Sequence, residues 1–294
     1  MSAWVIRLLV VILMQQPFTF EQVVALPAPA PDHVIAYGPA AQQFGHLRLP
    51  RGPGPFPVVI FVHGGCYLAE YSIAHAGALE QALADAGYAV WSLEYRRVGD
   101  PGGGWPGTFQ DLGRGADHLR TLANQYPLDL TRVVAAGHSA GGNSALWLAG
   151  RRKIPQDSPL HVADPLTIGG VLALAPAGDF AEMHAKDGCG GVMDGLMGGS
   201  PAAVPERYRA ASPGELLPIG VPQSIIIGGR DASFNAFGRA YVAKARAAGD
   251  SQLIERTIGA AGHFDVIAPT SPPWGEVLDE LRRLFAQLPA RKMK

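Results

Sequence analysis

Ser139 stands between glycines in "GHSAGG" (137–142), where the apolar run "TRVVAA" (131–136) gives way to "NSALWLAGRRK" (143–153). A strand that turns sharply into a helix lifts the turn residue above the sheet and exposes its hydroxyl. Gly137 and Gly141 remove side chains that would collide at such a turn, and Gly142 carries that freedom into the first helical turn. The helix start aims amide N–H groups at the turn and favours negative charge developing there. The chemistry this serine could do is attack on a carbonyl carbon. For that it needs a base, and the base needs a carboxylate to orient it.

His263 in "GAAGHFDVIAP" (259–269) supplies the base, on a glycine-rich loop downstream of an apolar stretch that ends at Ile258. Asp231 in "SIIIGGRDASFN" (224–235) supplies the acid, just past a buried strand and on the sheet edge toward which His263 projects. Asp265 is the rival acid, but two residues from His263 it would have to fold back on a local loop; an acid within 178–214 is a further alternative. The developing oxyanion needs fixed donors. "FVHGGCYL" (61–68) leaves a strand where Gly64 and Gly65 let the chain turn, so the amides of Gly65 and Cys66 can join that of Ala140. His63 is expected to brace this loop, and Cys66 to matter through its amide rather than its thiol. His138, beside the nucleophile, is expected to point away. His33, His46, His75, His118, His161 and His184 read as surface or packing residues.

The elements that must hold these groups alternate. Strands are predicted within 33–49, 56–65, 88–95, 131–136, 167–176, 222–229 and 252–258, the inner ones being continuous apolar runs typical of strands buried on both faces. Helical spacing falls at 74–87, at 108–127 with Thr108 as its cap, after Ser139, at 234–249 and at 275–288. This pattern predicts an α/β fold, a doubly wound, mostly parallel sheet with helices on both faces. One domain is expected over 31–290, preceded by a leading segment 1–30. The Gly-, Met- and Pro-rich stretch 178–214 is read as a short lid-like insertion over the active site, with Met183, Met193 and Met197 offering apolar contacts to an acyl group.

The 294 residues are 48% hydrophobic and carry a net charge of -1 without a basic stripe, so a nucleic-acid partner is not expected. No zinc-type or H-E-x-x-H spacing occurs and no G-x-G-x-x-G follows an early strand, so neither a metal nor a nucleotide cofactor is expected. Cys66 and Cys189 allow at most one bridge, which the sequence leaves open. Arg7, the apolar "LLVVILM" (8–14) and the small-residue exit at 23–25 fit a secretory leader, but the charged start is weak. The expectation is a cytoplasmic protein, with a secreted or periplasmic one as the alternative if residues 1–25 are a signal peptide. No stretch is long enough for a transmembrane span. The oligomeric state is open.

Together "HGG" (63–65), "GHSAGG", "GGRD" (228–231) and "GHFD" (262–265) resemble the α/β-hydrolases, in the order Ser, Asp, His, from about residue 33 onward. "LEYRRVG", "GGWPGTFQD" and "GLMGGSPAAVPERYRAASP" are similar to the esterase and kynurenine-formamidase-like (BD-FAE-like) branch. The resemblance implies that Ser139 is the nucleophile, His263 the base, Asp231 its orienting acid, and Gly65, Cys66 and Ala140 the oxyanion donors. "HGGC" departs from the "HGGG" and "HGGYW" loops of relatives. The function expected is hydrolysis of carboxylic esters of small or aromatic acyl groups through an acyl-enzyme. Alternatives are N-formyl amide hydrolysis, a prolyl-type serine peptidase, and a catalytically inactive binding protein of the same fold.

Overall fold

Alternate side chains of the run Phe56–Val62 face opposite ways: Val58, Ile60 and Val62 enter one core, Val59 and Phe61 the other. That double burial is why the segment reads as unbroken apolar sequence. The computed structural model describes residues 16–289, and the apolar stretch 8–14 lies outside them. Eight strands form one sheet: β1 (His33–Ala36), β2 (Phe44–Arg48), β3 (Phe56–Val62), β4 (Ala89–Leu93), β5 (Leu128–His138), β6 (Gly170–Leu174), β7 (Gln223–Gly228) and β8 (Leu253–Ile258). Their order is β1-β2-β4-β3-β5-β6-β7-β8, with β1 and β2 antiparallel to their neighbours and the rest parallel. The chain winds from β3 outward to β4, then returns past β3 to β5. The crevice at the carboxyl ends of β3 and β5 is therefore the switch point where such sheets bind ligands.

On one face, α3 (Gly107–Asp117), α4 (Leu119–Leu122), α5 (Ala140–Gly150) and α9 (Asn235–Ala247) close the first core. On the other, α1 (Phe20–Val24), α2 (Gly77–Asp85) and α10 (Trp274–Ala286) close the second. Leu281 and Leu284 of α10 are fully buried, each worth roughly 1.5–3 kcal/mol of transfer free energy. The doubly wound sheet is thus as the periodicity predicts. The helix predicted over 108–127 is broken at His118 into α3 and α4. Thr108 does not cap it: its hydroxyl lies inside the first turn, accepting the Gly104 N–H and donating to Arg96 O.

The stretch 178–214 is more ordered than its composition suggests. It contains α6 (Phe180–Ala185), α7 (Val192–Met197) and α8 (Pro205–Ala211). Met183, Met193 and Met197 are buried in the first core, so they are packing residues rather than the adaptable acyl contacts expected of them. Cys189, between α6 and α7, is joined by a disulfide to Cys66. Among the described residues no helix is long and apolar enough to cross a membrane.

Candidate active site

The turn at Ser139 is built by close approach. A Cβ on Gly137 would lie 2.0 Å from Gly141 O, and one on Gly141 would lie 2.0 Å from Val62 O. With both absent, β5 can turn directly into α5 against the end of β3. Ser139 adopts φ 56° and ψ −121°, a conformation that costs an L-residue about 1–3 kcal/mol and persists only when its surroundings enforce it. The enforcement includes its own N–H, which donates to Leu174 O on β6 at 2.8 Å. The hydroxyl is thereby held over the sheet at the amino end of α5.

Asp231 and His263 are brought together from two neighbouring loops. A Cβ on Gly228, at the end of β7, would lie 2.8 Å from both Ala261 O and Gly262 O, so glycine there lets the β7 and β8 loops touch. His263 Nδ1 donates to Asp231 Oδ2 at 2.6 Å, and Asp231 Oδ1 accepts the Phe234 N–H at 3.1 Å. With its proton on Nδ1, the ring presents Nε2 as a lone pair. Ser139 and His263 line the same cavity of about 260 Å³. Among the described residues the direct Oγ–Nε2 hydrogen bond is not formed in the resting site, a contact that commonly tightens only with substrate bound. Asp265 is occupied elsewhere: its Oδ2 accepts the Gly262 N–H at 2.7 Å, which shapes the histidine loop.

Gly65 and Cys66 line that cavity beside Ser139. Among the described residues the amides of Gly65, Cys66 and Ala140 donate to no protein acceptor, which leaves them available to an anion. A Cβ on Gly64 would meet His138 O at 2.8 Å, so glycine is needed where this loop passes the Ser139 turn. His63 braces the loop as expected. Its Nδ1 donates to Gly64 O at 2.7 Å, its Nε2 lies 3.0 Å from Glu94 Oε1, and its ring stacks on Tyr95. Glu94, not singled out from sequence, also accepts the Ile73 and Tyr95 amides and pairs with Arg97. Burial alone would raise its carboxyl, but His63, the Ile73 amide and Arg97 outweigh that and hold it below the ordinary carboxylate range. Arg96 is tied to Asp111 and Arg97 to Glu94 and Asp100, so both serve the loops.

The cavity wall departs from expectation. No residue of 178–214 lines it; the segment reaches the site through the Cys189–Cys66 bond because its helices are drawn into the first core. The wall comes instead from Phe20 and Glu21 of α1 together with Tyr71, Phe234 and Phe264. Phe20 packs on Tyr71, His75 and Phe264, and Val23 is 2% exposed, so a cut at the small-residue exit 23–25 would strip Phe20 and Glu21 from the site. A five-residue helix with only one buried residue is too short to carry a periodicity, which is why the sequence did not reveal it. His138 does not point away: its Nε2 donates to His263 O at 2.8 Å and its ring lies 4.6 Å from that of His263.

Two histidines at the wall are held neutral. Burial, then the His63 charge, pushes His75 down to about 4, and burial, then His263, takes His138 well below the ordinary imidazole value of 6.5. The unfolded chain binds protons at these positions before the folded one does. Their contribution is complete above the unfolded value and is lost as pH falls toward the folded one. Thermal melts should therefore show stability falling between about pH 6.5 and 4, and the His75 share is roughly 3 kcal/mol. His75→Gln should flatten that slope; an unchanged slope would remove His75 from the account.

The BD-FAE family profile matches residues 47–236. Esterase LipC of Mycobacterium tuberculosis is 26% identical over 259 residues, covering 79% of this chain and 60% of LipC. Esterase LipI of the same organism is 31% identical over 97 residues, 33% of this chain and 30% of LipI. The chain thus spans 60% or less of the length of these relatives. Among solved structures, an esterase B from Lactobacillus rhamnosis inhibited by a tributyrin phosphonate superposes with a TM-score of 0.74 at 23% identity, covering 91% of this chain and 90% of that one. Esterase 2 of Thermogutta terrifontis with propionate bound gives 0.67 at 17% identity, covering 88% and 96%. These two share the fold.

Proposed function

The chain belongs to the BD-FAE family, and from that premise we propose that it is a serine esterase that cleaves carboxylic esters of small or aromatic acyl groups. The observation that carries this reading is the Asp231–His263 hydrogen bond at 2.6 Å, set beside the Ser139 turn in one cavity. On substrate binding, Ser139 Oγ attacks the ester carbonyl carbon and its proton passes to His263 Nε2. Asp231 holds the ring in the required tautomer and stabilises the imidazolium. The amides of Gly65, Cys66 and Ala140 receive the oxyanion. His263 then protonates the leaving alkoxide, and the C–O bond breaks to leave an acyl-enzyme. Water, deprotonated by His263, attacks that acyl group; the carboxylic acid departs and Ser139 regains its proton.

The aromatic wall of Phe20, Tyr71, Phe234 and Phe264 and a volume of about 260 Å³ suit a compact acyl group. A panel of short p-nitrophenyl esters, a feruloyl ester, N-formylkynurenine and a prolyl anilide, compared by kcat/KM, tests the reading. Short or aromatic esters are expected to lead. A leading formamide would move the assignment to amide hydrolysis, and a leading anilide to peptide hydrolysis. The Cys66–Cys189 disulfide supports an oxidising compartment over the cytoplasm, because such bonds persist there, whereas the place of Phe20 in the wall speaks against removal of residues 1–25. Recovery of the chain from cells with both thiols free would remove that support.

A further inference from the structure

The loop that faces Ser139 runs through three successive residues at positive φ: Gly65 at 109°, Cys66 at 53° and Tyr67 at 58°. Glycine takes this conformation freely, whereas Cys and Tyr adopt it only when neighbouring structure imposes it. For Tyr67 the means are plain. Its ring is fully buried and its hydroxyl donates to Ala140 O at 2.9 Å. Cys66 shares with Tyr67 the turn that the Leu68 N–H closes by donating to Gly65 O at 2.9 Å, but it has no buried ring or hydroxyl contact to anchor it in the core. Among the described residues it makes no hydrogen bond through its N–H, its C=O or its side chain. What ties it to the rest of the fold is the bond from its sulfur to Cys189, 123 residues away in sequence.

The far end of that bond is firmly held. Gly188, just before Cys189, donates to Met183 O at 2.8 Å, and Gly190 donates to Asp187 O at 3.1 Å. The flanking helices α6 and α7 are anchored by Phe180, Met183, Met193 and Leu196, each at most 1% exposed. We infer that the Cys66–Cys189 bond is a positioning element of the oxyanion hole: it fixes the Cys66 amide against a rigid part of the core, so that turnover requires the bond to be closed. The inference rests on the serine-esterase reading and adds to it a role for Cys189, a residue that does not itself line the cavity. Both cysteines are half-buried, so a small dithiol can reach them. Opening the bond moves two electrons and two protons from the dithiol to the two sulfurs, leaving two cysteine thiols and the cyclic disulfide of the reductant.

The experiment treats the folded, oxidised protein with dithiothreitol and counts the freed thiols by alkylation and mass. Turnover of a short p-nitrophenyl ester and the tryptophan bands of the near-ultraviolet circular dichroism, which the disulfide chromophore does not dominate, are followed on the same sample. Because one oxyanion donor is displaced, kcat should fall about 10- to 100-fold. KM should stay within about threefold and the dichroism should be unchanged, since the aromatic wall of Phe20, Tyr71, Phe234 and Phe264 stays in place. Reoxidation should restore kcat, and Cys189→Ser should show the same low kcat and no response to the dithiol. An unchanged kcat with both thiols freed would overturn the inference while leaving the esterase reading intact. So would a loss of kcat that tracks a loss of dichroism, because the bond would then matter to folding alone. Absence of ester turnover in the oxidised protein would overturn the esterase reading and this inference with it.

Discussion

Ser139→Ala should lower kcat/KM toward a short p-nitrophenyl ester by about 10⁴- to 10⁶-fold, the loss seen when a triad nucleophile is removed and only binding and oxyanion stabilisation remain. That corresponds to roughly 5.5–8 kcal/mol of transition-state stabilisation. The fold should survive. Alanine meets the same backbone restriction at φ 56° as serine does, so the strain of the turn is carried over unchanged. The Leu174 O bond to the residue 139 amide is also kept, because it uses the main chain. The variant should give a normal near-ultraviolet dichroism spectrum and a melting temperature close to that of the parent. A serine-directed phosphonate should add one adduct to the parent, on a peptide containing Ser139, and none to the variant. Rates within tenfold of the parent would remove Ser139 as the nucleophile.

Asp231→Asn should cost about 10⁴-fold in kcat, since an amide in that place no longer selects the Nδ1–H tautomer or stabilises the imidazolium. The 2.6 Å contact with His263 Nδ1 is the one that would be altered. Asp265→Asn should cost less than about tenfold. Its carboxylate accepts the Gly262 N–H, and an asparagine carbonyl can accept the same bond. Its effect should therefore fall mainly on stability, about 1 kcal/mol for one weakened hydrogen bond. Steady-state rates for the two variants, read beside their melting temperatures, separate the roles. A larger rate loss in Asp265→Asn than in Asp231→Asn would transfer the orienting role to Asp265.

Local necessity made part of this site legible without coordinates. The buried strands appear as apolar runs because both faces of a parallel sheet are covered, and that requirement acts residue by residue along β3, β5 and β7. The glycines of "GHSAGG" are there because a Cβ would strike main-chain oxygen, a constraint imposed within a few residues of the turn and by the neighbouring strand end. His63 as a brace followed from its place on the turning loop, and its bond to Gly64 O is equally local. Misreadings arose where a side chain could satisfy local rules in two directions. Thr108 has the type of a helix cap, but it stands inside the first turn of α3, where Arg96 O and the Gly104 N–H of the preceding loop lie within reach of its hydroxyl. His138 could turn outward or inward, and the carbonyl of His263 drew it inward.

The amino-acid sequence by itself determined the strand and helix rhythm, the elbow at Ser139 and the chain order of the three polar groups, because each depends on periodicity or on contacts only a few residues long. Only the tertiary structure decided that Asp231 rather than Asp265 meets His263, that α1 rather than the methionine-rich segment walls the cavity, and that Cys66 is fastened to Cys189. Those outcomes turn on which distant segments share space once the two cores have closed. Residues so far apart in the chain carry no local pattern that records their meeting.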